Sequence, residues 1–316
     1  DPMQNYLPQT GKVLRWKAAE GQGVRVDTYL RDGQEISPFY DSMQAKVIAY
    51  GEDRETARQK LLKSLADTTL LGVVNNKDYL TAILSHPVFA GGDFSTGFIG
   101  QHFPQDAVAA ARPSLRHVAL GAVALYMDDA YHLAQQHGLP PEFIGWHSSH
   151  ESPADYKLKW RDQPYVLKVL VHDGHLFTVT LEGRNIVVDV TRNLEGEFHY
   201  ICDGVSGKAR IAHDGDSVWL DAEGATQCYT DVTLAPAQSV KAGSDGRLLA
   251  HSDGKIVAVH VKPGDVIEKG KTLAVLEAMK MEFQLALPVG GTVVAVSVQA
   301  GQQVKNRQLL VQVKPE

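Results

Sequence analysis

The chain has 316 residues, 44% hydrophobic and 22% charged, with a formal net charge of −6. That length holds two or three domains, and the balance is ordinary for a globular protein with a sizeable core. The acidic excess argues against a nucleic-acid or anionic-membrane binder, the two cysteines (Cys202 and Cys228) exclude a disulfide scaffold and a Cys-based zinc site, and no apolar run approaches the ~20 residues that span a bilayer. Two cysteines also suit a reducing compartment. The first residues show no charged or apolar leader and do not start with Met, so the chain reads as a piece whose true N-terminus lies upstream.

Residues 1–103 mix strands and helices. Val24–Asp27 and Lys46–Tyr50 have strand composition. Asp53 is a good N-cap for a helix from Arg54 to about Leu71, with Ala57, Leu61, Leu62 and Leu65 at helical spacing and Gly72 as its C-cap. A second helix is expected over Lys77–Leu84, ending before His86-Pro87. These elements look like the tail of a larger α/β domain.

Residues 104–236 open with a strong helix, with Pro113 in its first turn. Leu115, Val118, Ala119, Ala122, Tyr126, Ala130 and Leu133 recur at three- and four-residue steps, and Val123 and Leu125 widen the stripe. A helix that apolar is enclosed rather than laid on a surface. Gly138 and Pro140-Pro141 end it. Short strands follow: Tyr165–Val171, Leu176–Glu182, Ile186–Val190, Glu197–Cys202, Ala209–Ala212 and Ser217–Leu220. Asp173-Gly174, Glu182-Gly183, Asp203-Gly204 and Asp214-Gly215 supply tight hairpin turns. Such a meander curls into a barrel to remove its edges, around the helix or packed on it. Residues 237–245 are rich in Ala, Ser and Gly and read as a linker, with an r.m.s. span of roughly 17–19 Å.

Residues 246–316 contain an internal repeat. Gly254-Lys-Ile-Val257-Ala258-Val259-His-Val261-Lys-Pro-Gly264 aligns with Gly291-Thr-Val-Val294-Ala295-Val296-Ser-Val298-Gln-Ala-Gly301, an offset of 291 − 254 = 37. Two such alternating halves, related by a pseudo-twofold, make a flattened β barrel or sandwich. The joint must be an exposed hairpin, Glu277-Ala278-Met279-Lys280-Met281-Glu282. A surface lysine is ordinarily a solvated charge. Two methionines flanking one at a loop tip gain nothing from exposure unless something reads them. Acylation of the amine by a carrier cofactor fits, since it leaves a long flexible arm.

Ala278-Met279-Lys280-Met281 between the halves of a small β domain resembles the attachment motif of biotin carboxyl carrier domains. The resemblance covers 246–316 and implies covalent biotin on Lys280, with Met279 and Met281 read by biotin protein ligase or the carboxylase sites. Lipoyl domains share the fold, but their lysine sits more often beside Asp and Ala. In residues 1–103, Leu7-Pro8-Gln9-Thr10-Gly11-Lys12, Gly23-Val24-Arg25, Phe39-Tyr40-Asp41-Ser42-Met43, Asn75-Asn76, His86-Pro87 and Phe98-Ile99 resemble, in order, the C-terminal part of biotin carboxylase, an ATP-grasp enzyme. The resemblance places Arg25 where a catalytic guanidinium stabilises negative charge on the ureido oxygen of biotin. The alternative is a structural arginine paired with Asp27. That family's ATP and Mg²⁺ residues lie earlier in its sequence and no phosphate loop occurs here, so this piece alone is not expected to hydrolyse ATP.

The expected fold is therefore α+β and multidomain: the C-terminal part of a biotin carboxylase (1–103), a β-barrel with a long helix that docks another subunit (104–236), a linker (237–245) and an all-β biotinyl domain (246–316). The layout resembles the α subunit of biotin-dependent acyl-CoA carboxylases, which are ligases. It implies a carboxyltransferase β-subunit partner holding the acyl-CoA, an α/β hetero-oligomer, and a bacterial cytoplasmic or eukaryotic mitochondrial-matrix location. Met281-Glu282 and the layout point to 3-methylcrotonyl- or geranyl-CoA, with propionyl-CoA as the alternative. Rival readings are another biotin enzyme, such as pyruvate or urea carboxylase, and a non-enzymatic docking protein whose Lys280 stays unmodified. Trp146, with His147 and His150, is either a docking anchor or a cap on the barrel. No zinc-type spacing appears among the thirteen histidines, so no metal is expected beyond the Mg²⁺ of the ATP site. Cys202 and Cys228 read as small core residues, and Asp128-Asp129 as a solvated or barrel-end patch.

Overall fold

Alternation of apolar and polar residues shapes most of the chain, and helices are concentrated in its first 140 residues. The computed structural model describes residues 1–140, 152–172, 174–235 and 246–315. In chain order the elements begin with β1 (Gly11–Lys12), β2 (Arg15–Lys17), β3 (Val24–Thr28), β4 (Glu35–Ile36) and β5 (Ala45–Ala49). Then come α1 (Arg54–Asp67), β6 (Thr69–Leu71), α2 (Lys77–Ser85), α3 (Pro87–Gly91), α4 (Phe98–His102), α5 (Gln105–Ala110) and the long α6 (Leu115–His137). Eight strands follow: β7 (Ala154–Trp160), β8 (Gln163–Val171), β9 (Leu176–Leu181), β10 (Arg184–Leu194), β11 (Glu197–Cys202), β12 (Val205–Asp214), β13 (Ser217–Ala222) and β14 (Ala225–Asp231). The last group is β15 (Arg247–Leu249), β16 (Gly254–Val259), β17 (Val266–Ile267), β18 (Thr272–Ala278), β19 (Met281–Ala286), β20 (Gly291–Val296), β21 (Gln303–Val304) and β22 (Leu309–Pro315).

Packing divides the chain into two units. The first comprises Asp1–Tyr6, Val13–Gln34 and Ala45–Pro236; the second comprises Leu7–Lys12, Glu35–Gln44 and Ala237–Glu316.

In the first unit, α1 starts where the sequence places it. The Asp53 carboxylate accepts from the Thr56 N–H at 2.7 Å, satisfying one of the helix's open donors. The helix is shorter than the pattern suggests. It ends at Asp67, and residues 69–71 form β6 against β2, so Gly72 follows a strand and caps nothing. The cause is the Thr68-Thr69 pair. Thr68 Oγ1 takes the Ser64 carbonyl at 2.8 Å, and Thr68 itself is extended (φ −80°, ψ 129°).

Helix α6 is capped by Ser114, whose Oγ accepts from the His117 N–H at 3.0 Å, and by left-handed Gly138. Pro113 precedes the cap rather than entering the first turn. His117 through Leu125 are buried without a break, because the eight strands close into an antiparallel barrel around this half of the helix. The helix is inside the barrel, not against it. At Gly121 the fit leaves no room for a Cβ, which would lie 2.7 Å from the Tyr229 ring.

Two of the eight strands, β7 and β14, go beyond those the sequence suggests. Tyr156, Leu158 and Trp160 do alternate with charged residues in β7, but β14 has a polar sequence and only Tyr229 is buried. The two complete the closure through Thr230↔Lys159 and Asp231↔Leu158. Glu182-Gly183, Asp203-Gly204 and Glu223-Gly224 all have positive φ at both residues, as type I′ hairpin turns require. The expected Asp214-Gly215 turn is Gly215-Asp216, because Asp214 pairs with Ser217. Asp173 of the remaining expected turn lies outside the described residues.

Within this unit the N-terminal elements meet the barrel through charge. Lys77, at the start of α2, is buried, donating to Asp221 of β13 and to the Thr68 carbonyl at 3.1 Å. Arg210 of β12 is 2% exposed and donates to Thr69 Oγ1 at 2.7 Å and to Glu197 at 3.1 Å. Asp78 accepts from the Thr226 N–H at 3.0 Å and from Gln227 Nε2 at 2.8 Å.

In the second unit, residues 246–315 form two four-stranded sheets ordered β15-β22-β20-β17 and β19-β18-β16-β21. The 37-residue offset carries β16 onto β20, β17 onto β21 and β18 onto β22, residue for residue. Leu273, Leu276, Ile256, Leu310, Val293 and Val313 share one apolar core. The repeat read from the sequence is thus a repeat in the fold.

Candidate functional site

The two halves are joined by the hairpin β18–β19, closed by the pair Ala278↔Met281. Only Met279 and Lys280 lie in the turn, with φ of 48° and 64°. A type I′ turn asks for Asn-Gly here, because two left-handed L-residues cost about 1–2 kcal/mol each. Such a cost persists only where the surroundings enforce it. Met279 is the anchor. It is 5% exposed, and burying a methionine side chain contributes about 1.5–3 kcal/mol. This corrects the sequence reading, which took both methionines as exposed. Only Met281 is, at 40%. Met281 shares a face with buried Ala278 across the hairpin.

Lys280 is exposed at the apex, and among the described residues no hydrogen bond or ion pair engages its ammonium. On the opposite face of the hairpin Glu277 pairs across with Glu282 on one side and Lys255 on the other. The arrangement presents one unencumbered primary amine, held away from the domain by a rigid turn. An amine so placed can be acylated without disturbing the core, and it fits an amide-linked carrier group.

Arg25 lies on β3 opposite Ile48 of β5. Its guanidinium reaches Asp27, Nε to Oδ1 at 3.1 Å and Nη2 to Oδ2 at 3.2 Å, with the side chain 71% exposed. The pairing weighed in the sequence is therefore present. An exposed pair of this kind is weak and leaves the guanidinium available to another anion. Trp146, His147 and His150 lie outside the described residues. Among the described residues no group of three or more His, Cys, Asp or Glu could hold a metal ion. Cys202 is buried, as expected, with its thiol pushed up to about 12 by burial; Cys228 is only part-buried, its thiol pushed up to about 11 for the same reason. Asp128 lies 3.6 Å from His132 and 3.5 Å from His213, while Asp129 accepts from Tyr156 Oη at 2.7 Å, so the acidic pair is more engaged than a solvated patch.

Residues 1–101 match the family described as biotin carboxylase C-terminal domain, and residues 238–313 match the family described as biotin-requiring enzyme. The chain carries a biotin carboxylase C-terminal domain and a biotin-requiring-enzyme domain. The biotin-requiring-enzyme match indicates covalent biotin on the carrier domain. The chain is similar to the mitochondrial methylcrotonoyl-CoA carboxylase subunit alpha of Dictyostelium discoideum, 28% identical over 98% of this chain and 46% of that one. It is similar to the human mitochondrial propionyl-CoA carboxylase alpha chain, 27% identical over 99% and 45%. A solved single-chain, multi-domain long-chain acyl-CoA carboxylase overlays with a TM-score of 0.32 at 21% identity, covering 96% of this chain and 19% of that one. The chain spans a little under half the length of the curated relatives it matches. No helix among the described residues is long and apolar enough to cross a membrane.

The sequence holds no hint of the buried charges Lys77, Arg210 and Asp221 or of part-buried Asp78. Their partners are up to 149 positions away, and no local spacing marks them.

Proposed function

We propose that this chain is the C-terminal portion of the biotin-bearing α subunit of an acyl-CoA carboxylase, with Lys280 the attachment residue. The observation that carries the reading is the Met279-Lys280 turn: an exposed amine at the apex of a strained two-residue hairpin, at the joint of a twofold-repeated β domain. Biotin bound there supplies a carrier for a carboxyl group. The protein's part is to hold the amine in a fixed place through buried Met279, and to offer half-exposed Met281 beside it as an apolar mark for biotin protein ligase. Arg25 would place its guanidinium against developing negative charge on the ureido oxygen, trading its exposed contact with Asp27 for that interaction.

In this reading residues 1–103 complete a biotin carboxylase domain whose ATP and Mg²⁺ residues lie outside this sequence. Residues 104–236 form the barrel that docks a carboxyltransferase β subunit, residues 237–245 a linker, and residues 246–316 the carrier. Tethering makes the carrier's encounters intramolecular, at effective concentrations in the mM range. The acyl-CoA is 3-methylcrotonyl- or geranyl-CoA, with propionyl-CoA the rival. The relatives' printed names support methylcrotonyl and propionyl alike.

A streptavidin blot of wild type and Lys280→Arg from a biotin-competent host tests the attachment. Signal in wild type alone supports it. Equal signal, or none in either, defeats the carrier reading. Carboxylation by the full-length subunit with its partner, over a panel of acyl-CoAs, fixes the substrate.

A further inference from the structure

The carrier domain leaves an apolar surface open beside Lys280. β19 is the outermost strand of its sheet. Its alternate residues Leu285, Phe283 and Met281 share the inward face, and their cover thins toward the turn. Leu285 is 4% exposed, Phe283 is part-buried, and Met281 is 40% exposed. A thioether on the core side of a strand is thus left uncovered, one residue from the free amine.

The connection from β15 to β16 supplies a second wall. It reaches the Lys280 end of the domain, where Gly254 packs so closely on Glu277 that a Cβ has no room against the Glu277 carbonyl. From this connection the His251 ring meets Phe283 edge-to-face, with centroids 5.3 Å apart and an interplanar angle of 88°. Burial holds the His251 imidazole below its ordinary 6.5, so at neutral pH it is an uncharged ring. Met281, Phe283 and His251 therefore form a surface of rings and a thioether without charge, while Glu277 and Glu282 pair on the opposite face of the hairpin.

The group that fits this surface is tethered next to it, an inference that rests on the assignment of biotin to Lys280. Met281 and Phe283 lie one and three residues along the strand, within about 10 Å. A biotinyl-lysine side chain, two tetramethylene runs joined by an amide, is long enough to fold back onto them. Its thiolane ring is apolar and carries a sulfur that packs favourably on aromatic rings. Its ureido group, all donors and acceptors, belongs in water. We propose that the biotinyl group on Lys280 parks on Met281, Phe283 and His251 between visits to its partner sites, with the thiolane edge inward and the ureido ring in water. Attachment makes the contact intramolecular, at an effective concentration in the mM range, so even a contact of mM affinity is about half occupied. Met281 then serves twice, as the mark beside the bare amine and as the seat of the finished arm.

The test uses the full chain, unmodified and after treatment with a biotin protein ligase and biotin, with its methionine methyl groups carbon-13 labelled. Intact mass fixes the state of Lys280 in each sample. The chain has five methionines, so the methyl spectrum holds five signals. The Met281 methyl is expected to move on biotinylation and to show cross-relaxation with the thiolane protons, while Met3 and Met127, which belong to the first unit, stay in place. The rate of capture by avidin is a second readout. Biotinylated Met281→Ser and His251→Ser are each expected to be captured about 2–5-fold faster than biotinylated wild type, because only the unparked fraction is competent. A fully biotinylated chain with no cross-relaxation at Met281, or with unchanged capture rates in both variants, overturns the proposal. A bare Lys280 after ligase treatment overturns the attachment reading itself, and the parked arm falls with it.

Discussion

The seam between the N-terminal elements and the barrel differs in kind from the core of the carrier domain. The carrier core is apolar, built twice from one pattern, with Leu273 matched by Leu310 and Leu276 by Val313. The seam is built from the buried charges Lys77, Arg210 and Asp221, with part-buried Asp78 beside them, each used once. An apolar repeat tolerates exchange of one aliphatic for another of similar volume. A buried ion cluster fixes one register and penalises every other, because a displaced partner leaves a charge without compensation. The carrier is therefore specified by pattern and the seam by individual pairs.

Removing one ion should have the largest effect. Lys77→Met is expected to destabilise the first unit by about 3–5 kcal/mol, with Lys77→Met/Asp221→Leu less harmful than the sum of the singles. Denaturant melts followed by hydrogen exchange over residues 69–85 check this. Simple additivity would mean that the seam behaves like the carrier core after all.

The same contrast explains what the sequence revealed. The repeat, its offset and the Lys280 apex were legible because period-2 alternation and a 37-residue echo are local signals. Most barrel strands were legible for the same reason, and β14 was not, since its polar residues face a neighbouring wall rather than a core. The early end of α1 falls at the β-branched pair Thr68-Thr69, where the chain turns extended into β6, and the helical spacing of the leucines does not mark it. The burial of Met279 was hidden because nothing in Ala-Met-Lys-Met says which methionine turns inward.

Asp78 should give the next largest effect. Its folded pKa, about 6, lies above the ordinary 3.8, so the folded state keeps a proton that the unfolded state has released. Stability from this group is therefore highest below about pH 4 and falls as pH rises to about 6, by about 3 kcal/mol in all, and is flat above. A pH series of melts on wild type and Asp78→Asn isolates it, the variant lacking that slope. In the carrier, Met279→Ala should cost about 2–3 kcal/mol and loosen residues 272–286 in hydrogen exchange, while Met281→Ala costs less. The smallest change runs the other way. Lys280→Gly relieves a left-handed L-residue and should stabilise the hairpin by about 1 kcal/mol while removing the amine. A melt of that variant no higher than wild type would show that the turn is unstrained.

The enclosed half of α6 also dictates an order of assembly. The helix precedes every strand that surrounds it, and the ring closes only when β14, the last strand, meets β7, the first. During synthesis this long, largely apolar helix leaves the ribosome well before its shelter exists, and the staves must gather around it because a finished barrel could not admit it. A nascent chain of this design leaves that apolar surface uncovered until the final strand is made.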